Sequence, residues 1–147
     1  MSENYKEAEI KNESYYKELV NFSLLAGLVL MASRAETNRV EDTVSRILKT
    51  SGLPITEAFV LPTGITVTLS DNKDMTICVN KRTAPGEVNI KKMDEVNQVS
   101  RDFCSGVKNL DESYSRLKEI SEEKGFPLWL KLIGTSLASG GFCPVTR

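Results

Sequence analysis

The feature that most constrains this chain is a change of hydrophobic period at Pro54. Before it, Leu19, Val20, Phe22, Leu25, Ala26, Val29 and Leu30 recur at helical spacing. After it, Ile65, Val67 and Leu69 alternate with Thr66, Thr68 and Ser70. A period near 3.6 lines apolar groups along one side of a helix, whereas a period of two puts them on one face of a strand. From about Lys92 the helical period returns. A chain that runs helices, then consecutive strands, then helices again folds as α+β.

The first helix is read from about Tyr16 to Ala32. Its second half, from Leu24 to Ala32, is apolar nearly all round and belongs at the centre of the fold. That apolar stretch is nine residues long, and a membrane span needs about 20. Gly27 within it costs about 1 kcal/mol relative to alanine, which a close helix or sheet contact would explain. A second helix, roughly Ala35 to Thr50, buries Val40, Val44, Ile47 and Leu48. Lys49-Thr50-Ser51-Gly52 followed by Pro54 marks its end. Together they form an N-terminal αα-hairpin with a very short joint.

Strands follow at Glu57 to Leu61, Ile65 to Ser70 and Met75 to Asn80, with turns at Pro62-Thr63-Gly64 and Asp71-Asn72-Lys73-Asp74. Such short turns make a small antiparallel meander. Val88-Asn89-Ile90 is a candidate fourth strand. A helix from about Lys92 to Ser105 turns Met93, Val96, Val99, Ser100 and Phe103 inward and stops at Gly106. Asn109-Leu110-Asp111-Glu112 has capping-box spacing and opens a last helix, with Tyr114, Leu117 and Ile120 inward, ending near Gly125.

With 147 residues, 40% of them hydrophobic, the chain can build one real core. Its net charge of −1 gives no basic field that would attract nucleic acid. The pairs Lys81-Arg82 and Lys91-Lys92 read as solvated surface. Cys78, Cys104 and Cys143 are odd in number and far apart, which is not a disulfide framework and fits a reducing compartment. The sequence contains no histidine, which excludes histidine-dependent triads and the common histidine-containing zinc sites. No cofactor or metal is implied. Cys104, beside Phe103, reads as a small buried residue with no base to activate it. Met1 to Tyr16 is polar and acidic, unlike a signal peptide.

The charged second helix carries the candidate site. Glu36, Arg39, Thr43 and Arg46 fall in one line beside the apolar stripe. Such a line can read a carboxylate, an amino group or a partner's charged surface, with Glu36 as acceptor and the arginines as forked donors. A plainer reading is also open. Ser33-Arg34-Ala35-Glu36 has capping-box spacing, and Glu36, Glu41 and Asp42 suit the start of a helix. The turn Pro62-Thr63-Gly64, with Thr66 and Thr68 beyond it, either offers hydroxyls to a ligand or is a plain turn followed by the solvent face of a strand.

The segment Phe126 to Phe142 carries a single charge, Lys131. Trp129 stands near its start and small residues Gly134, Ser136, Ala138, Ser139, Gly140 and Gly141 follow. That order suits either the opening of a transmembrane helix or a helix docked on the domain.

Ala26-Gly27, the string Ala35-Glu36-Thr37-Asn38-Arg39-Val40-Glu41-Asp42-Thr43 and the segment Phe59 to Ile65 resemble the N-terminal soluble domain of the threonine/serine exporter family. The resemblance continues through Asn89 to Asn97 and Leu110 to Ile120, and covers roughly residues 15 to 142. It implies a transporter component rather than an enzyme: a soluble domain, residues 1–125, on the cytoplasmic face of the cell membrane. From 126 to 147 it implies the start of a membrane helix, cut short, because Leu137 to Phe142 looks like the family's first span. Cys143 to Arg147 departs from the family pattern and reads as a truncation, a frame change or an engineered end.

The implied role is gating, sensing or assembly. The implied partners are membrane helices of the same or another subunit, with a small amino acid or organic acid as ligand and an oligomeric state. The candidate substrate-binding or gating residues are Glu36, Thr37, Arg39, Glu41, Asp42, Thr43, Arg46, Pro62, Thr63 and Gly64. A small hydrolase or a stand-alone amino-acid-binding domain is the alternative. Arg34 departs from the glycine usual between the family's two helices. Arginine takes a left-handed turn only at a cost, so the expectation is a reshaped joint or a degenerate copy.

Overall fold

The computed structural model describes residues 2–84 and 86–123, with side chains from residue 12 onward. The predicted segment Phe126 to Phe142 and Cys143 lie outside the described residues.

Helix α1 runs Ser2–Ala32 and α2 runs Thr37–Lys49. Strands β1 (Ile55–Leu61), β2 (Gly64–Ser70) and β3 (Thr76–Arg82) follow, then α3 (Ile90–Cys104) and α4 (Leu110–Glu122). This is the expected α+β order. The first helix, however, begins well before Tyr16. Its opening is rich in Glu and Lys, which hold helix by propensity. The Glu13–Lys17 pair, 2.7 Å apart one turn on, adds to it. Among the residues whose side chains are described, burial starts at Leu19, which is where the apolar period becomes readable.

The sheet is the expected meander, ordered β1-β2-β3 and antiparallel throughout. Its inner face buries Val60, Ile65, Val67 and Leu69 against the helices. Pairing closes β1 onto β2 at Leu61↔Gly64, so Pro62 and Thr63 form the turn. The β2–β3 turn is built by Asp71, whose Oδ1 accepts the amides of Lys73 at 2.9 Å and Met75 at 3.0 Å. Those two amides hold the Asp71 carboxyl below its ordinary range.

Val88-Asn89-Ile90 does not form the fourth strand. Ile90 opens α3 and Asn89 is its cap, accepting the Lys92 amide at 3.0 Å. A capping side chain outweighs three residues of β propensity. At α4 the cap is as expected, with Asn109 Oδ1 accepting the Glu112 amide at 2.8 Å.

Helix α1 is the central element, touching α2, β2, β3, α3 and α4. Phe22, fully buried, meets Phe103 of α3 edge-on at 5.0 Å and Tyr114 of α4 at 6.3 Å between ring centroids. Gly27 has the close contact its sequence position calls for. A Cβ there would stand 2.7 Å from Ile65 Cδ1 and 2.9 Å from Val44 Cγ2, so the helix, the sheet and α2 converge on a missing side chain.

Candidate functional site

The joint between α1 and α2 is where the local structure departs most from expectation. Ser33 does not cap α2 through its side chain. Glu36 is the cap residue, with no side-chain cap hydrogen bond. Arg34 adopts the left-handed conformation, φ 67°, so the turn keeps its form despite the arginine. Arg34 N–H donates to the Met31 carbonyl and Ala35 N–H to the Leu30 carbonyl, each at 3.0 Å, the paired bonds of a Schellman ending. The end of α3 is closed the same way, with Gly106, φ 74°, at the equivalent place. Arg34 meets the cost of its backbone with a side-chain bond: Nε donates to the Gly86 carbonyl at 2.8 Å. The loop is pressed against the joint, since a Cβ on Gly86 would land on the Ala32 carbonyl oxygen.

This joint forms one wall of a groove of about 890 Å³. The opposite wall is the β1–β2 turn and the outer face of the sheet. Phe59, Thr66 and Asn80 are register partners across the three strands and share that outer face. Phe59 is 60% exposed and Leu61 46%, both large apolar groups left open beside the groove. The turn is fastened to the chain after β3 by Thr83, whose Oγ1 donates to the Pro62 carbonyl at 2.6 Å. Thr83 N–H also reaches the Thr63 carbonyl at 3.2 Å.

The candidate residues from the sequence divide between this groove and the body of α2. Thr37, Pro62, Thr63 and Gly64 all line the groove. Glu36 is exposed and sits between Ala35 and Thr37, which line it, without lining it itself. Arg39 is exposed. Thr43 is buried, and its hydroxyl donates to the Arg39 carbonyl at 2.9 Å. Glu41 reaches across to the sheet, where its Oε2 accepts the Val60 amide of β1 at 3.2 Å. Asp42 and Arg46 pair with each other at 3.1 Å on the exposed side of α2.

Arg34, Phe59, Thr66, Asn80 and Arg82 also line the groove. The alternation of β2 put Thr66 on the open face, but only strand register brings Phe59 and Asn80 beside it. Arg82, read from sequence as plain surface, stands at the end of β3 opposite Gly64.

Arg34 and Arg82 line the groove, and no acidic residue does among the described residues. The exposed carboxylate of Glu36, the cap residue of α2, stands at the edge of the groove and at the positive end of that helix's dipole. Among the described residues no cluster of cysteine and carboxylate groups could hold a metal ion. Cys104 is half-buried, and burial pushes its thiol above the ordinary range, against a smaller pull from Arg46. No helix among the described residues is long and apolar enough to cross a membrane.

Fold and groove together define an α+β domain with an open polar groove between a helix joint and the outer face of a sheet. Residues 21–147 match the family model ThrE, described as "Putative threonine/serine exporter". The chain belongs to this family, which is one of transporters rather than enzymes. No curated protein and no solved structure gives a match.

Proposed function

We propose that this domain is the sensing or gating part of an exporter-like transporter, stationed at the cytoplasmic face of the membrane. In this reading, ligand in the groove sets the position of the α1–α2 joint, and the joint acts on membrane helices of the same protein or of a partner subunit. The observation that carries the reading is the convergence of Thr37 with Pro62, Thr63 and Gly64. Two stretches of sequence, both part of the family resemblance, supply opposite walls of one groove. A groove of about 890 Å³ is in the size range of small-molecule sites.

The test is efflux of labelled threonine, serine and succinate from cells with and without the chain. Thr66→Tyr fills the groove and is expected to lower efflux several-fold. Ser115→Tyr, on the exposed side of α4, is expected to leave it unchanged. Efflux that ignores both the presence of the chain and a folded Thr66→Tyr variant would overturn the reading.

A further inference from the structure

We propose that the open edge of β3 pairs antiparallel with the same edge of a second copy of this chain, joining two three-stranded sheets into one continuous sheet. The pairing does not depend on the groove holding a ligand.

The direction of the backbone groups comes first. Asp71 N–H donates to the Met75 carbonyl and Thr83 N–H to the Thr63 carbonyl, each at 3.2 Å. In an antiparallel ladder such bonded pairs recur at every second residue, so Ile77, Val79 and Lys81 bond to β2. Thr76, Cys78, Asn80 and Arg82 therefore turn their amides and carbonyls to the far edge. Among the described residues nothing bonds to them there.

The opposite edge of the sheet is closed. On β1 the outward Val60 amide is taken by Glu41 Oε2 at 3.2 Å, and α2 packs along that strand. Folded proteins guard an edge with a bulge, a proline, a covering helix or spread charges. β3 pairs with β2 without interruption over Thr76–Arg82, holds no proline, and carries charge only at Lys81 and Arg82.

Charge selects the occupant and its direction. Arg82, at the end of β3, and Asp74, just before its start, are both exposed, and neither pairs with a described residue. An edge positive at one end and negative at the other complements itself when reversed. With Cys78 opposite Cys78 of the second copy, Asn80 meets Thr76 and Arg82 meets Asp74. Thr76, Cys78 and Asn80 are edge-facing positions, so the ladder closes with its bonds made. An in-register parallel pairing would set Lys81 and Arg82 beside their own copies, and like charges repel. The Cys78 side chain stands on the outer face, its Sγ 3.6 Å from Thr68 Oγ1. The two thiols therefore share one face of the joined sheet, on Cα atoms about 5.5 Å apart.

The experiment is sedimentation equilibrium of the full 147-residue chain, with cross-linking by a short bis-maleimide in a Cys143→Ser background. A reversible dimer of the 16.3 kDa chain is expected, cross-linked through Cys78. Cys78→Pro removes an amide that faces the edge and none that bonds to β2. It is expected to weaken the dimer at least about tenfold, the scale of two lost backbone bonds, with an unchanged circular dichroism spectrum. Arg82→Glu is expected to weaken it about tenfold, because the two-fold axis repeats the ion pair, and adding Asp74→Arg is expected to restore it. Mere damage to β3 would give no such rescue, and its absence would overturn the antiparallel register. A chain that stays monomeric at the highest concentration reached would overturn the proposal, whether its edge is open or covered by another part of the chain. So would a dimer that keeps its affinity in a folded Cys78→Pro variant, or one that does not cross-link through Cys78.

Discussion

Gly27 and Arg34 show how single residues set this fold. At Gly27 a side chain is excluded by Ile65 Cδ1 at 2.7 Å and Val44 Cγ2 at 2.9 Å. Helix propensity alone favours Gly27→Ala by about 1 kcal/mol, but overpacking a closed core costs about 1–3 kcal/mol. The net expectation is a loss of up to about 2 kcal/mol, read as a lower urea midpoint. Ile65→Val removes the closest atom, so the double variant should lose less than the sum of the two single changes. Additive losses would show that the contact with Ile65 is not what fixes the glycine. This position was legible in the sequence, because a glycine in an apolar helix asks for a neighbour. Arg34 was legible only in part. Its unsuitability for a left-handed turn is plain from residue type, but the Gly86 carbonyl that holds it lies 52 residues away in sequence.

At the scale of elements, the strong local signals were read correctly and the weak ones lost to capping. The period of β2, the stripe of α2 and the Asn109 cap all stand in the structure. Val88-Asn89-Ile90 was misplaced because β-branched composition says nothing about where a cap will form. The two kinds of helix start give a direct comparison. Asn109 accepts the Glu112 amide, so Asn109→Ala is expected to cost about 1 kcal/mol. Glu36 makes no side-chain cap bond, so Glu36→Ala is expected to change stability by less than about 0.5 kcal/mol. Chemical denaturation of both variants checks the pair, and equal losses would contradict the assigned caps. Strand register was the part that the sequence could not supply. It decides that Phe59, Thr66 and Asn80 stand side by side, and with them the outer wall of the groove.

For the whole molecule, α1 is the organising axis, and Phe22 is where it meets both C-terminal helices. Phe22→Ala would leave a hole bordered by Phe103 and Tyr114. The expected loss is about 3–5 kcal/mol, a large share of the roughly 5–15 kcal/mol that holds a domain together. Loss of near-ultraviolet dichroism at moderate denaturant, with helix content retained, would be its signature. An intact near-ultraviolet spectrum and an unmoved midpoint would contradict the central role of this residue.

The loop behind the groove has a consequence at the same scale. Arg34 grips the Gly86 carbonyl, Asn89 caps α3, and only Glu87 and Val88 lie between them. The Ser33 carbonyl accepts the Asn89 N–H at 3.3 Å, so both ends of this stretch are bonded to the α1–α2 joint. A shift of the joint is therefore passed straight to the residue that caps α3.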